Sequence, residues 1–187
     1  IMVFHTPGRN ATAVADFTVG MLLTECRNIA KSHNELKKGN WIRDYANAEY
    51  VPDLEGKIAG IIGYGSIGSK VAKRLRAFDM KILAYDPYYK GDEVPLVSLE
   101  KLMKESDFVL VHYRLTTETR HMINKEMLEL MKPTAYLINT ARSGLVDETA
   151  LVEALREKKI FGAAVDVFEK EPPEKDYPLV TCDNVTI

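Results

Sequence analysis

The sequence predicts an α/β protein with a doubly wound parallel sheet of about six strands and helices on both faces. Short β-rich apolar runs alternate with segments whose apolar residues recur at helical spacing, over most of the 187 residues. This alternation is typical of parallel strands joined by right-handed crossover helices. A glycine-rich turn between one predicted strand and the next helix supports the same fold class.

Composition and charge indicate one ordinary globular domain and disfavour two classes of partner. The formal net charge is −2, from 25 basic and 27 acidic residues. We therefore expect no nucleic-acid partner, because nucleic-acid binders usually carry a basic patch. The apolar runs are too short to span a bilayer, so we expect no membrane partner. Cys26 and Cys182 form no CxxC pair, and a reducing cytoplasm is the expected location.

The predicted elements follow in a regular order. The strands are Lys57–Ile62, Lys81–Tyr85, Phe108–His112, Ala135–Asn139, Phe161–Val165 and Val185–Ile187. After the first strand, the helices are Ser66–Phe78, one from Ser98 to Glu105, one from Asn124 to before Pro133, and one from Asp147 to about Lys158. Ser98, Asn124 and Asp147 are predicted N-caps, because short polar side chains satisfy free amides there.

Before the first strand, the pattern predicts one long helix, Ala11–Lys38, and a connection from Asn40 to Gly56. Val14, Phe17 and Met21 lie at helical spacing and predict its buried face. Gly20 suggests that another backbone packs close to this helix, because glycine otherwise destabilises a helix interior.

The glycine-rich turn runs from Gly63 to Gly68 and predicts a dinucleotide site. Gly63 allows the tight turn, Gly65 lets the backbone approach a pyrophosphate, and Gly68 lets the helix pack close to the sheet. The backbone amides of Ser66 and Ile67 would face the phosphates at a helix N-terminus. The fold is then of the Rossmann type.

An acidic residue, Asp86, ends the next predicted strand, 18 residues after Gly68. A carboxylate there would accept hydrogen bonds from the adenosine ribose and repel a 2′-phosphate, so we expect NAD rather than NADP. Asp86 could instead simply start a turn with Pro87. A methyltransferase that binds S-adenosylmethionine also uses a glycine-rich turn and a ribose-binding acid, and it remains open at this point.

Three further strand ends carry polar residues: His112–Arg114, Asn139–Gly144 and Asp166–Pro172. An arginine can grip a carboxylate with two parallel hydrogen bonds, which suits hydride transfer to a small anionic substrate. Each residue also has a structural interpretation. Arg142 could be a surface ion-pair member, Asp166 and Glu171 solvated loop acids, and His112 a satisfied, partly buried histidine. The histidines and cysteines have no metal-ligand spacing.

Taken together, these stretches closely resemble the D-isomer-specific 2-hydroxyacid dehydrogenase family, which includes phosphoglycerate and glycerate dehydrogenases. The matching segments are Thr6–Ala11, Gly60–Gly68, Leu115–Arg120, Met131–Pro133, Ile138–Arg142, Leu145–Asp147, Gly162–Phe168 and Glu171–Pro172. They follow the family's order and disfavour the methyltransferase. The resemblance implies an NAD-dependent oxidoreductase domain, spanning residues 1–187, that transfers a hydride between the nicotinamide and a small D-2-hydroxy or 2-oxo acid.

The resemblance also implies roles for individual residues. Arg142 would hold the substrate carboxylate and carbonyl, and Asp166 the nicotinamide carboxamide. Thr140 and Ala141 would line the nicotinamide pocket through their backbone, and Tyr113 would lie near the adenosine. Glu171 would pair with a catalytic histidine and raise its pKa.

That histidine and the family's substrate-binding lobe would lie outside this chain, which we expect to be a piece of a longer protein. The family resemblance further suggests a homodimer with residues 1–56 in its interface, although the long helix could instead cover its own sheet. The family includes corepressors that sense NAD(H), and such an interaction protein is the alternative function.

Two residues depart from the family pattern. Arg114 stands where the family usually has proline, and it could be a surface residue, the interpretation we favour, or a second contact to an anion. Ser143 stands where the family usually has glycine and could restrict the backbone beside Arg142.

Overall fold

We describe the fold from a computed structural model, in which residues 6, 8–42 and 50–187 are described. The apolar start of the chain, Ile1–Phe4, and residues 43–49 of the predicted connection lie outside the described residues.

Six parallel strands form a single sheet, which confirms the predicted fold class. The strands are β1 (Ile58–Ile62), β2 (Lys81–Tyr85), β3 (Phe108–Val111), β4 (Tyr136–Asn139), β5 (Gly162–Val165) and β6 (Val185–Thr186). Their order across the sheet is β2-β1-β3-β4-β5-β6, and every neighbouring pair is parallel. The chain order therefore reverses between β1 and β3, where sheets of this kind leave a crevice at the carboxyl ends of the strands.

Helices cover both faces of this sheet. They are α1 (Ala11–Cys26), α2 (Ile29–Lys37), α3 (Gly68–Arg76), α4 (Leu99–Glu105), α5 (Lys125–Glu129) and α6 (Glu148–Arg156). Side chains of α1 and α3 pack with Ile61, Leu110 and Ile138 on one face. Side chains of α4, α5 and α6 pack on the other face, with the alternate strand residues. The three predicted N-caps are confirmed, because each side chain accepts a hydrogen bond from a backbone amide of its helix.

The prediction of one long helix from Ala11 to Lys38 is wrong, because the chain breaks between α1 and α2. Asn28 has a positive φ of 54°, a conformation that asparagine tolerates better than most residues and that no helix interior permits. The two helices on either side of the break pack differently. Helix α1 packs against β4, β5, β6 and α3, whereas α2 has no buried residue.

The predicted buried face of α1 is right for Met21, which is buried, and wrong for Phe17. The residues that reach the interior include Ala11, Ala15, Thr18 and Leu22, whereas Phe17 is 46% exposed. Small side chains let this helix approach the sheet closely, and a search for large apolar residues overlooks such a face. Gly20 is exposed, and a Cβ placed there would meet no neighbouring atom of the described residues within 4 Å, so none of the described backbone packs close to it.

Other boundaries differ from the prediction by one to three residues. Strand β3 ends at Val111, so His112 begins the loop that follows. Helix α3 ends at Arg76, and Phe78, which was expected on its buried face, is 39% exposed. No helix among residues 8–42 and 50–187 is both long and apolar enough to cross a membrane.

Candidate dinucleotide and active site

The glycine-rich turn closes tightly between β1 and α3. Gly63 has a φ of 94°, and a Cβ there would lie 2.7 Å from the carbonyl oxygen of His112, at the end of the neighbouring strand. A Cβ at Gly68 would lie 2.1 Å from the carbonyl oxygen of Gly63. Because neither contact is sterically possible, both positions require glycine for the fold of the turn itself.

Gly65 differs from its two partners, because a Cβ there would meet no atom of the described residues within 4 Å. Its backbone is exposed and lines a cavity, and Ser66 beside it is also exposed. Ile67 is the N-cap of α3. The turn therefore offers open room in front of a helix N-terminus, which is the arrangement that a pyrophosphate requires.

Two cavities lie at the carboxyl edge of the sheet. The first, the Asp86 cavity, has a volume of about 540 Å³ and is lined by Gly63, Gly65, Asp86, Tyr88 and Thr116, among others. The second, the Arg142 cavity, has a volume of about 520 Å³ and is lined by Asn10, Val14, Ile67, Thr140, Ala141 and Arg142, among others. His112, Tyr113 and Arg114 line both cavities, so the loop after β3 lies between them.

Asp86 holds the turn and also faces the cavity named after it. One carboxyl oxygen accepts from the Tyr64 amide at 2.9 Å, and the other accepts from the Tyr88 amide at 2.9 Å. The structural role is therefore real, but a carboxylate has about four acceptor positions and can still receive ribose hydroxyls. Tyr113 also lines this cavity, and burial together with the nearby charge of Asp86 raises the pKa of its hydroxyl.

The turn that carries Arg142 is held by a residue that the sequence analysis did not single out. Asn139 is 2% exposed. Its side-chain oxygen Oδ1 accepts from the backbone amide of Ala141 at 3.1 Å, and its side-chain nitrogen Nδ2 donates to the backbone carbonyl of Arg142 at 3.0 Å. The Arg142 guanidinium donates to the Ala141 carbonyl at 2.6 Å. No acidic side chain within the described ranges pairs with Arg142, so the ion-pair interpretation has no support in the structure.

A second overlooked contact fixes Thr140 from the opposite side. Its hydroxyl lies 2.7 Å from the hydroxyl of Thr18, and both residues are buried. Thr18 belongs to α1, so this helix anchors the wall of the Arg142 cavity. Nothing in the sequence signals such a pair, because the two residues are 122 positions apart.

His112 does not have the satisfied surroundings that were expected. Both ring nitrogens are shielded from solvent, and neither has a hydrogen-bond partner among residues 6, 8–42 and 50–187. Burial lowers the pKa of the imidazole to about 4, so the ring is neutral at physiological pH. Unsatisfied polar atoms beside a cavity are costly for the protein alone and fit a site that a polar ligand completes.

Asp166 and Glu171 both lie in the segment that follows β5, and neither is among the lining residues of the two cavities. The Asp166 amide donates to the Asn139 carbonyl at 3.1 Å, which places this residue beside the Arg142 turn. Burial and the negative charge of Glu171 raise the pKa of the Asp166 carboxyl. Glu171 is exposed and accepts from the Phe168 amide at 3.2 Å.

The loop that carries these two acids is tied to α6 by Glu148, which the sequence analysis missed. One carboxyl oxygen of Glu148 accepts from the Glu169 amide at 2.9 Å, and the other accepts from the Tyr177 hydroxyl.

Ser143, the second departure from the family pattern, begins a short 3₁₀ turn ending at Leu145. Within the described residues, no group of three or more His, Cys, Asp or Glu side chains could hold a metal ion.

Comparison with known proteins decides the family. Residues 19–187 match the family described as D-isomer specific 2-hydroxyacid dehydrogenase, NAD binding domain. The chain belongs to this family. The resemblance drawn from the sequence motifs is therefore confirmed, and the chain corresponds to the NAD-binding domain of such proteins.

Individual relatives support this assignment. A glyoxylate reductase from Thermofilum pendens is 46% identical over all of this chain and 57% of the relative. A D-3-phosphoglycerate dehydrogenase from Methanocaldococcus jannaschii is 44% identical over 99% of this chain and 36% of the relative. A hydroxypyruvate reductase from Thermotoga maritima is 43% identical over 99% of this chain and 61% of the relative. The chain thus spans about one third to three fifths of these relatives.

Solved structures show the same fold. The TT0316 protein from Thermus thermophilus superimposes with a TM-score of 0.92 at 41% identity, over all of this chain and 60% of that protein. An NAD-dependent formate dehydrogenase from Staphylococcus aureus, solved with NAD, has a TM-score of 0.86 at 35% identity, over 95% of this chain and 55% of that enzyme.

Proposed function

We propose that this chain is the cofactor-binding part of an NAD-dependent oxidoreductase that interconverts a small D-2-hydroxy acid and its 2-oxo acid. The observation that carries the proposal is the position of Arg142. Its guanidinium lines a cavity next to the dinucleotide turn and has no acidic partner in the described part of the chain. An arginine held in this way can bind the carboxylate of a substrate placed beside the nicotinamide.

The cofactor would lie across both cavities. In this proposal the adenosine ribose binds Asp86, the adenosine lies near Tyr113, and the pyrophosphate receives the amides of Ser66 and Ile67. The nicotinamide lies against Thr140 and Ala141, with its carboxamide at Asp166. Asn139 supports this placement, because it fixes the backbone of residues 141 and 142 through two hydrogen bonds.

The reduced nicotinamide, when bound, supplies the hydride to the substrate carbonyl. Arg142 would bind the carboxylate and carbonyl oxygens of the substrate and would stabilise the charge that develops on the carbonyl oxygen. The proton would come from the histidine that the family resemblance places beyond Ile187. Glu171 would hold that histidine protonated, because a nearby carboxylate raises an imidazole pKa.

The names of the relatives support the proposed substrate class, since they specify reductases of glyoxylate and hydroxypyruvate and a dehydrogenase of 3-phosphoglycerate. The test is NADH oxidation by the full-length protein, followed at 340 nm, with glyoxylate, hydroxypyruvate and phosphohydroxypyruvate. We expect turnover with at least one of them. Absence of turnover with all small 2-oxo acids, despite NADH binding, would contradict an enzymatic function. No observation on the described residues favours the alternative of an NAD(H)-sensing corepressor.

We further propose that the full-length protein is a cytoplasmic homodimer, with α2 in the interface. Several large apolar side chains of α2 and its continuation are exposed: Ile29 at 53%, Leu36 at 60% and Trp41 at 79%. Both cysteines have free thiols, which suits a reducing compartment. Sedimentation of the purified full-length protein should give twice the monomer mass. In fractionated cells, the protein should be found in the cytoplasmic fraction. A monomer at micromolar concentration would exclude the dimer.

A further inference from the structure

Unlike several other arginines, Arg114 pairs with no acidic side chain among the described residues. Arg27, Arg74 and Arg120 each lie within 3.5 Å of an acidic side chain. Among the described residues, the Arg114 guanidinium has no hydrogen-bond or ion-pair partner, although its backbone carbonyl accepts from the Thr119 hydroxyl at 2.8 Å. The backbone of this loop is therefore fixed, while the charge that it carries is available to a ligand.

The position of Arg114 decides which ligand group it faces. The residue lines both the Asp86 cavity and the Arg142 cavity, as only His112 and Tyr113 also do. A dinucleotide placed with its adenosine in the first cavity and its nicotinamide in the second must cross between them at its pyrophosphate. Of the glycine-rich turn, Gly65 lines the first cavity and Ile67 lines the second.

The charges that line the two cavities favour an anion at this crossing. The acidic residues of the Asp86 cavity are Asp86 and Glu118, and Arg114 is the only basic residue among its described lining residues. In the Arg142 cavity the basic residues are Arg114 and Arg142. Without Arg114, a pyrophosphate with two negative charges would meet two acids near one end and only backbone amides at its centre.

We propose that Arg114 binds the pyrophosphate of the dinucleotide, opposite the amides of the glycine-rich turn, and so sets the affinity of this chain for its cofactor. The inference rests on the cofactor placement proposed above. The guanidinium fork matches two phosphate oxygens, which a lysine cannot do with the same geometry. The favoured surface role for Arg114 fits its exposed side chain, which also lines both cavities.

The test compares NADH, ADP-ribose and adenosine affinities of the full-length protein with those of its Arg114→Gln and Arg114→Lys variants. Arg114→Gln should weaken the binding of NADH and ADP-ribose about tenfold, which is the scale of one hydrogen bond to a charged group. It should leave the affinity for adenosine unchanged. The NADH affinity of Arg114→Lys should lie between those of wild type and Arg114→Gln. The affinity of wild type for NADH should also decrease more steeply with salt than that of Arg114→Gln.

The matched control is Arg156→Gln, which removes the same charge at the end of α6 and should leave all three affinities unchanged. Unchanged NADH affinity in Arg114→Gln, with NADH binding intact in wild type, overturns the role of Arg114 alone. An equal loss of adenosine affinity overturns the assignment to the pyrophosphate. If wild type and the Asp86→Asn variant bind NADH with the same affinity, the cofactor placement on which the inference depends is refuted instead.

Discussion

Replacement of Arg142 by lysine should reduce kcat/KM of the full-length enzyme for its 2-oxo acid by about 10²–10³-fold. Lysine keeps the positive charge but loses the planar fork, so it cannot hold the carboxylate and the carbonyl oxygen together. The backbone of the turn should survive, because Asn139 bonds main-chain atoms of Ala141 and Arg142 rather than the side chain.

Two measurements separate this effect from a general loss of structure. The thermal midpoint of the Arg142→Lys variant should match that of wild type, and its NADH affinity should change far less than its turnover. Arg156→Lys, on the exposed end of α6, is the matched control and should turn over normally. If the Arg142→Lys variant had the kcat/KM of wild type, the proposed role of Arg142 in substrate binding would be refuted.

Replacement of Gly65 by alanine should reduce NADH affinity by about tenfold or more while leaving the fold intact. A Cβ at this position meets no atom of the described residues within 4 Å, so it would project into the room where the pyrophosphate approaches. The free energy of unfolding should stay the same or rise by up to about 1 kcal/mol, because alanine restricts the unfolded chain. Fluorescence titration and denaturant unfolding measure the two quantities.

Two other glycines serve as controls for Gly65. Gly20→Ala also adds a methyl group that meets no neighbouring atom of the described residues within 4 Å, but on the exposed side of α1, so NADH affinity should not change. Gly68→Ala should instead lower the free energy of unfolding by about 1–3 kcal/mol, because its Cβ overlaps the Gly63 carbonyl. If Gly65→Ala binds NADH as wild type does, the phosphate does not lie at this turn.

Local signals in the sequence were sufficient for most of the fold. Strand and helix order follows from apolar periodicity, and the caps at Ser98, Asn124 and Asp147 follow from their short polar side chains. The division of Ala11–Lys38 did not follow, because the chain breaks where α1 leaves the sheet, and that point depends on tertiary packing. Part of the buried face of α1 was missed for a different reason, since Ala11, Ala15 and Thr18 are buried beside Met21 and Leu22, and small residues give a weak apolar signal.

The candidate site was predictable where a residue type alone indicates chemistry. The glycines, Asp86 and Arg142 carry such signals, and the structure places all of them at the crevice edge of the sheet. The supporting residues carry none. Asn139 and Glu148 act by holding backbone amides, and Thr18 acts through a hydroxyl pair with a residue 122 positions away.

The most direct test of the central claim is a titration of the full-length protein and its Asp86→Asn variant with NADH and NADPH, followed by fluorescence. Asparagine removes the charge but keeps an oxygen that can accept one of the two amides now bound by Asp86. We predict that wild type binds NADH at least about tenfold more tightly than NADPH, because the carboxylate repels the 2′-phosphate, and that the variant loses this preference. Equal affinity for both nucleotides in wild type, or a preference that survives in Asp86→Asn, would contradict the placement of the cofactor at Gly63–Gly68 and Asp86.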